Sequence, residues 1–320
     1  LYFHRLDRNR DRRLTPDEFE FSEAKPNAIR MESTDGQSKV VIFQDERFPA
    51  LGLPDVSPDG TRMLFHRRSN DPEVGSQVVL SDWKGEVITE LCSGKQPSWS
   101  ADASQFVCAR TVSEGVAGKQ IWVMAADGRR GSPIGQGTSP RWSPDGKRIA
   151  FFRDNGIVLY DTDKKESRVL VAREGHRYTS LGNAVAWEPD SQRLAVLATR
   201  PNFTELVLVS VTNDAEKKGL VKTPPGKVEA GGESGEVTLN PQRGFASCRS
   251  VGQLSWGSNG ICFAISPMVN GKVAQKASLQ LWVPESNGGV KAVPPLSREV
   301  VWKAASLEKN GKWYVGVSEH

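Results

Sequence analysis

A short turn motif recurs along the chain and sets the strongest limit on how the chain can fold. Its clearest copy is Trp142-Ser143-Pro144-Asp145-Gly146, which leads into the apolar run Ile149-Ala150-Phe151. Six related turns begin at residues 57, 100, 143, 188, 257 and 308. Their spacings of 43, 43, 45, 69 and 51 residues indicate one structural unit repeated along the chain.

Each copy of the motif predicts a β-hairpin. Proline presets the first central position of the turn, aspartate suits the next, and glycine takes the positive φ that closes the strands. A second strand-and-turn pattern follows about ten residues later, as in Gln120-Ile121-Trp122-Val123-Met124 before Asp127-Gly128. Each unit of about 43 residues therefore predicts four short strands, which is one blade of a β-propeller.

The two ends of the chain complete the count of strands. The last repeat of the motif reaches the C-terminus just after the second strand of its blade, and residues 29–43 match a third and a fourth strand. We therefore predict an all-β, six-bladed propeller over residues 28–320, with the N- and C-terminal strands sharing one blade. Such closure removes the free sheet edges that would otherwise invite aggregation.

The motif Trp-Ser-Pro-Asp-Gly-Lys-Arg-Ile-Ala-Phe at residues 142–151 resembles the repeats of the TolB-like six-bladed propellers of bacterial extracytoplasmic proteins. The resemblance covers roughly residues 28–320 and rests on turn and packing residues. It implies the propeller fold, a protein-interaction or scaffolding role, and a periplasmic or cell-surface location, with any signal segment absent from this sequence. Related blades also precede the hydrolase domain of prolyl-oligopeptidase-type peptidases.

Residues 1–27 form a separate unit that resembles half of an EF-hand. Calcium binds oxygen ligands at positions 1, 3, 5, 7, 9 and 12 of such a loop. The residues at these positions are Asp7, Asn9, Asp11, Arg13 (through its carbonyl), Thr15 and Glu18. The sequence departs from the motif at position 6, where Arg12 replaces the usual glycine, and four arginines in the loop repel a cation.

A second interpretation of this segment needs no metal. Thr15-Pro16-Asp17-Glu18 is a capping box with proline at the first helical position, which would start a helix by itself. Bound calcium and an empty loop held by Arg–Asp pairs both remain open.

Motifs for common enzyme chemistry are missing from the sequence. It contains no Gly-x-Ser-x-Gly nucleophile elbow and no glycine-rich phosphate loop after a strand. The four histidines, at positions 4, 66, 176 and 320, lack metal-ligand spacing. With 42 basic and 38 acidic residues, the net charge of +4 does not indicate specific nucleic-acid binding. No apolar run approaches the length of a membrane-spanning helix.

Basic residues mark a candidate binding face. The Ser-Pro-Asp-Gly turns lie on one face of the predicted ring, so the second-to-third-strand loops and the blade connections lie on the other. Arg67, Arg110 and Arg153 end three successive second strands at the same offset from the turn. The neighbouring loops of that face add His66, Arg68, Arg173, His176, Arg177, Tyr178, Arg200 and Phe203.

Guanidinium groups from neighbouring blades suit carboxylate or phosphate ligands. The alternative is that each arginine pairs with an acidic residue such as Asp71, Glu114, Asp154 or Glu174. A ligand site and a set of structural ion pairs are thus both open at the level of sequence.

Four cysteines fall as two similar pairs around turns of the repeat. Cys92 and Cys108 flank one turn, and Cys248 and Cys262 flank another. Two disulfides would fit an oxidising compartment. Free buried cysteines are the alternative, because Cys108 occupies a position filled by Phe151 in the next repeat.

These observations favour a non-enzymatic, extracytoplasmic propeller that binds a protein or an anionic polymer through its loop face, with calcium as the one candidate cofactor. The alternative function is a hydrolase or lyase with its active site at the central channel.

Overall fold

The computed structural model describes residues 28–33, 39–52, 54–82, 84–111, 119–173, 178–182, 184–200, 203–211, 236–238, 248–257, 260–269, 272–273, 278–282, 290–292, 303–309 and 312–318. The strands in chain order are β1 (Ala28–Ser33), β2 (Lys39–Gln44), β3 (Ala50–Leu51), β4 (Asp55–Val56), β5 (Arg62–Arg68), β6 (Ser76–Asp82), β7 (Ile88–Ser93), β8 (Lys95–Trp99), β9 (Gln105–Thr111), β10 (Lys119–Ala125), β11 (Gly131–Gln136), β12 (Thr138–Trp142), β13 (Arg148–Arg153), β14 (Gly156–Asp161), β15 (Glu166–Val171), β16 (Val185–Trp187), β17 (Arg193–Arg200), β18 (Phe203–Ser210), β19 (Glu236–Thr238), β20 (Cys248–Gly257), β21 (Gly260–Val269), β22 (Lys272–Val273), β23 (Ser278–Trp282), β24 (Val290–Ala292), β25 (Lys303–Lys309) and β26 (Lys312–Ser318). Within these ranges no helix has the length and apolar character needed to cross a membrane.

The described strands form six antiparallel sheets, each with four strands along its main path. Blade 1 contains β3 to β7, blade 2 contains β8 to β11, and blade 3 contains β12 to β15. Blade 4 contains β16 to β19 and blade 5 contains β20 to β24. In blade 6 the order is β25-β26-β1-β2. The strands of each blade are lettered A, the innermost, to D, the outermost. From blade 1 through to blade 6, the A strand of each blade contacts the A strand of the next.

Blade 6 confirms the predicted sharing of one sheet by the two ends of the chain. β1 pairs with β26 from Ile29–Ser318 to Ser33–Tyr314, and β2 adds to the outer edge of β1. Ile29, Ile42 and Phe43 then pack against blade 1 in one buried cluster. Strands from opposite ends of the chain therefore fasten the first blade to the last.

The hydrophobic core lies between the blades. Along β13, Ile149 and Phe151 pack toward blade 2, whereas Ala150 and Phe152 pack toward blade 4. Because successive side chains of a strand point to opposite faces, a sheet covered on both faces needs an unbroken apolar run. All four of these residues are buried.

The repeated turn has the chemistry that its sequence predicts. The Ser143 hydroxyl donates to Asp145 Oδ1 at 2.5 Å and accepts from the amide of Arg148 at 2.9 Å. The same serine–aspartate contact occurs at Ser57–Asp59 and Ser100–Asp102. The position after the aspartate has positive φ, 76° at Gly146 and 56° at Ala103, so the turn persists where glycine is absent.

Candidate anion-binding face

The B–C hairpins and the blade-to-blade connections lie together on the face opposite the Ser-Pro-Asp-Gly turns. The hairpin between β13 and β14 is a two-residue turn in which Asp154 and Asn155 both have positive φ, 51° and 59°. This is the turn geometry that asparagine and aspartate tolerate best among residues other than glycine. The Asn155 Oδ1 accepts from the Leu181 amide at 3.1 Å, which fixes the hairpin against the connection from blade 3 to blade 4.

A polar cavity of about 420 Å³ opens on this face between blades 2 and 3 and extends to the connection from blade 3 to blade 4. Its size falls in the range of small-molecule and side-chain pockets. Its lining consists of Lys119, Gln136, Gly137, Thr138, Phe152, Arg153, Asp154, Asn155, Ser180 and Gly182.

Two cationic side chains line this cavity, Arg153 from blade 3 and Lys119 from blade 2. Neither has a salt-bridge or side-chain hydrogen-bond partner among the described residues. Asp154 is the acidic residue of the lining, and its side chain is exposed. The cavity thus brings together two half-buried positive charges and polar groups that can receive an anion.

Two further cations extend the positive charge toward blade 1. Burial lowers the pKa of Lys95 below its usual value, and the nearby charges of Lys119 and Arg68 lower it further. The described part of the chain provides neither Lys95 nor Arg68 with an ion-pair partner, so no acidic side chain there offsets this repulsion. An anion bound beside these residues would relieve that repulsion.

The structure places Arg67 in a packed environment rather than in the cavity. Its Nε donates to Gln77 at 2.9 Å, and its Nη2 lies 3.4 Å from Glu90 Oε2. The guanidinium also stacks 4.0 Å from the centroid of the Phe48 ring. Arg67 therefore fills the space between blades 6 and 1.

Arg110 occupies the equivalent space between blades 1 and 2. Its guanidinium lies 4.7 Å from the centroid of the Trp122 ring, close to Cys92 and Cys108. The three arginines at the same repeat offset thus enter three different inter-blade spaces. Only Arg153 lines the described cavity.

The other predicted ligand residues are also spread over several sites. His66 Nδ1 accepts from the Gln96 amide at 3.2 Å and so joins blade 1 to the A strand of blade 2. Tyr178 is buried and donates its hydroxyl to Glu205 Oε2 at 2.7 Å, while Arg200 forms an ion pair with Glu205. His176 and Arg177 lie outside the described residues.

All six predicted calcium ligands also lie outside the described residues, namely Asp7, Asn9, Asp11, Arg13, Thr15 and Glu18. Within the part of the chain that the structure covers, no group of three or more His, Cys, Asp or Glu residues could hold a metal ion.

The inner strands carry polar groups that link the blades. Asp55 Oδ2 accepts from the Trp99 amide at 2.7 Å, and Ser98 Oγ accepts from the Trp142 amide at 3.3 Å. Gln96 and Ser139 exchange two hydrogen bonds of 2.8 and 3.0 Å. These side chains are engaged in joining neighbouring blades near the central axis.

Sequence reasoning found Arg153 but missed Lys119 and Gln136, its neighbours across the cavity. Lys119 begins β10 and Gln136 ends β11, so both stand at the same face as the end of β13. The order of strands in the repeat determines at which face of the ring each strand begins or ends. The signal for Lys119 in the sequence is therefore a cation at the start of a C strand.

No protein-family model matches the chain. No curated protein matches it either. Solved structures do match. A putative TolB from Agrobacterium tumefaciens aligns with a TM-score of 0.58 and 15% identity over 84% of this chain and 88% of that chain.

TolB from Acinetobacter baumannii aligns with a TM-score of 0.54 and 13% identity. That alignment covers 92% of this chain but 64% of the TolB chain. A prolyl endopeptidase aligns with a TM-score of 0.51 and 15% identity over 87% of this chain, which is 41% of the peptidase chain.

The sheets, their order and these similarities define a β-propeller. More particularly, the chain has a TolB-like β-propeller fold, as its repeats indicate.

Proposed function

We propose that this protein is a non-enzymatic binding or scaffolding propeller that recognises an acidic protein surface or an anionic polymer through its B–C face. The single observation that supports the proposal most strongly is the cavity between blades 2 and 3. There Lys119 and Arg153 face one polar space without a carboxylate partner among the described residues.

The charge of the cavity and its surroundings favours an anionic ligand. Lys119 and Arg153 supply two positive charges at the cavity, and Lys95 and Arg68 continue the positive field toward blade 1. A fixed positive field attracts anions from solution and speeds their encounter. Charge-assisted hydrogen bonds then hold the ligand more strongly than neutral ones would.

Poly-L-glutamate is a suitable first probe, with polyphosphate as a second. We expect the double variant Lys119→Gln, Arg153→Gln to weaken binding by about tenfold or more, since each lost charged hydrogen bond is worth roughly 1.5–3 kcal/mol. Binding by the native chain should also fall as the salt concentration rises. Isothermal titration calorimetry at two salt concentrations measures both effects.

Arg129→Gln, Arg130→Gln is the matched control. These two exposed arginines follow the turn of Asp127 and Gly128, on the opposite face of the same blade. The control removes the same net charge from the protein, but at a site away from the cavity. It should therefore leave the affinity nearly unchanged. Equal losses in both double variants would show that net charge, and not the cavity, determines binding, and would overturn the proposal.

An extracytoplasmic location is part of this proposal. It is supported by the resemblance of the repeats to those of extracytoplasmic TolB-like propellers. Cell fractionation of the native organism with an antibody against this chain tests it. Recovery in the cytoplasmic fraction alone would contradict it.

A further inference from the structure

The fold brings one pair of positions together at successive blade boundaries. The first member is on a D strand, just beside a bulge, and the second is the fourth residue of the next B strand. Between blades 6 and 1 the pair is Phe43 and Phe65, with ring centroids 5.2 Å apart. Between blades 2 and 3 it is Gly135 and Phe151, where a Cβ on the glycine would lie 3.5 Å from the ring.

Between blades 1 and 2 the same pair of positions is occupied by Cys92 and Cys108. Cys92 pairs with Val78 beside the bulge of β7, as Gly135 pairs with Ile121 in β11. The two thiols lie close enough to interact with each other, and neither is in a disulfide. They belong to one apolar cluster with Leu64 and Phe106, in which Cys108 is fully buried and Cys92 half-buried.

The surroundings make the two thiols chemically unequal. The neighbouring Cys108 thiol lowers the pKa of Cys92, and the Arg110 guanidinium lowers it further, whereas burial and the Glu90 carboxylate oppose both. The neighbouring Cys92 thiol and burial raise the pKa of Cys108. Since the thiolate is the reactive form, Cys92 is the better nucleophile and is also the more accessible of the two.

We propose that Cys92 and Cys108 are a redox-active dithiol that closes to a disulfide between blades 1 and 2 by exchange with an external disulfide. The Cys92 thiolate attacks one sulfur of the external disulfide, which forms a mixed disulfide and releases one thiolate. The Cys108 thiol loses its proton and attacks Sγ of Cys92, which expels the second thiolate. Two cysteine thiols are oxidised and one external disulfide is reduced to two thiols.

The other two cysteines provide an internal comparison. In the hairpin of β20 and β21, Cys248 pairs with Pro267, whereas Cys262 pairs with Ser255. The two cysteines are therefore several rungs apart along the hairpin, at about 3.3 Å per residue. A disulfide needs Cα atoms within about 7 Å, so the described register does not allow the Cys248–Cys262 bond that the sequence left open.

The experiment uses the reduced full chain and oxidised glutathione under native conditions. After alkylation of the remaining thiols and trypsin digestion, mass spectrometry should find peptides 85–95 and 96–110 joined by a reducible bond. Cys248 and Cys262 should be recovered without a bond to each other. Recovery of Cys92 and Cys108 as free thiols, or a cross-link at Cys248 and Cys262 instead, would overturn the proposal.

Single variants test the order of attack. Cys108→Ala should trap glutathione on Cys92, because the resolving thiol is missing. Cys92→Ala should leave Cys108 unmodified.

In the Cys108→Ala background, Arg110→Gln should slow formation of the glutathione adduct several-fold near neutral pH and move the pH profile of this reaction upward. Arg110→Lys should restore much of the rate. Equal trapping on Cys108 in Cys92→Ala would contradict the assigned roles. Near-ultraviolet circular dichroism checks that each variant is folded.

Discussion

Asp55 of blade 1 forms an ion pair with Arg141 of blade 3, with 2.7 Å between Oδ1 and Nη1. The other carboxylate oxygen of Asp55 accepts from the Trp99 amide of blade 2 at 2.7 Å. One side chain therefore fastens three successive blades at their inner strands. The Asp55 and Arg141 side chains are 26% and 14% exposed, so solvent screens the pair only in part.

Two substitutions separate the charge of Asp55 from its role as an acceptor. Asp55→Asn keeps an oxygen for the Trp99 amide but leaves Arg141 without its counter-charge. We expect it to lower the free energy of unfolding by about 1–2 kcal/mol, and Asp55→Ala by about 2–3 kcal/mol. Urea denaturation followed by tryptophan fluorescence measures both values. Equal stability of the two variants and the native chain would show that the contact contributes nothing net.

The repeated turns should make the stability of the propeller depend on acid pH. The hydroxyls of Ser57 and Ser100 donate to Asp59 and Asp102, and with the backbone amides of the turn they lower the pKa of each carboxyl to about 2 from 3.8. A lowered pKa in the folded state stabilises the fold above the unfolded pKa. That contribution is lost as the pH falls from about 4 to about 2.

Ser100→Ala should move the pKa of Asp102 back toward 3.8, since the hydroxyl is the largest cause of its shift. Carboxyl-carbon NMR titration of Asp102 measures this change directly, and Asp59 in the same sample serves as the internal reference. A pKa of Asp102 that stays near 2 in the variant would show that the hydroxyl and amide of Ser104 are sufficient without Ser100.

The turns and the shared blade could be predicted from the sequence because each depends on local chemistry or on counting strands. Gly146 and Asp145 specify their turn within five residues, and β1 and β2 complete a sheet that lacks two strands. The cavity depends instead on side chains of different blades, such as Lys119 and Arg153. Arg67 and Arg153 share one offset in the repeat, yet Phe48 fills the space at the first and a cavity remains at the second. Local patterns contain no information on such differences in packing.

Calcium binding by the N-terminal unit is a prediction from sequence alone. The oxygen donors from Asp7 to Glu18 suit a hard cation, but Arg12 and the other arginines favour weak affinity, in the range of about 10⁻⁴–10⁻³ M. Calorimetric titration with calcium should give saturable heat with the native chain and little with Glu18→Gln. The same heat from both proteins, or none from either at millimolar calcium, would leave a capped helix as the interpretation of this segment.

The last prediction separates Arg67 from Arg153, two residues that the sequence presents as equivalent. The Arg67 side chain is 13% exposed, donates to Gln77 and stacks on Phe48 at 4.0 Å. Arg67→Ala should therefore lower the free energy of unfolding by about 2 kcal/mol, through lost stacking and a lost hydrogen bond. Arg153 has no such contacts within the described residues, and Arg153→Ala should change the stability by less than about 0.5 kcal/mol. Urea denaturation of both variants, with poly-L-glutamate binding measured on the same samples, provides the comparison. If Arg153→Ala destabilises the protein as much as Arg67→Ala does, Arg153 is a structural residue, and the case for a ligand site between blades 2 and 3 is lost.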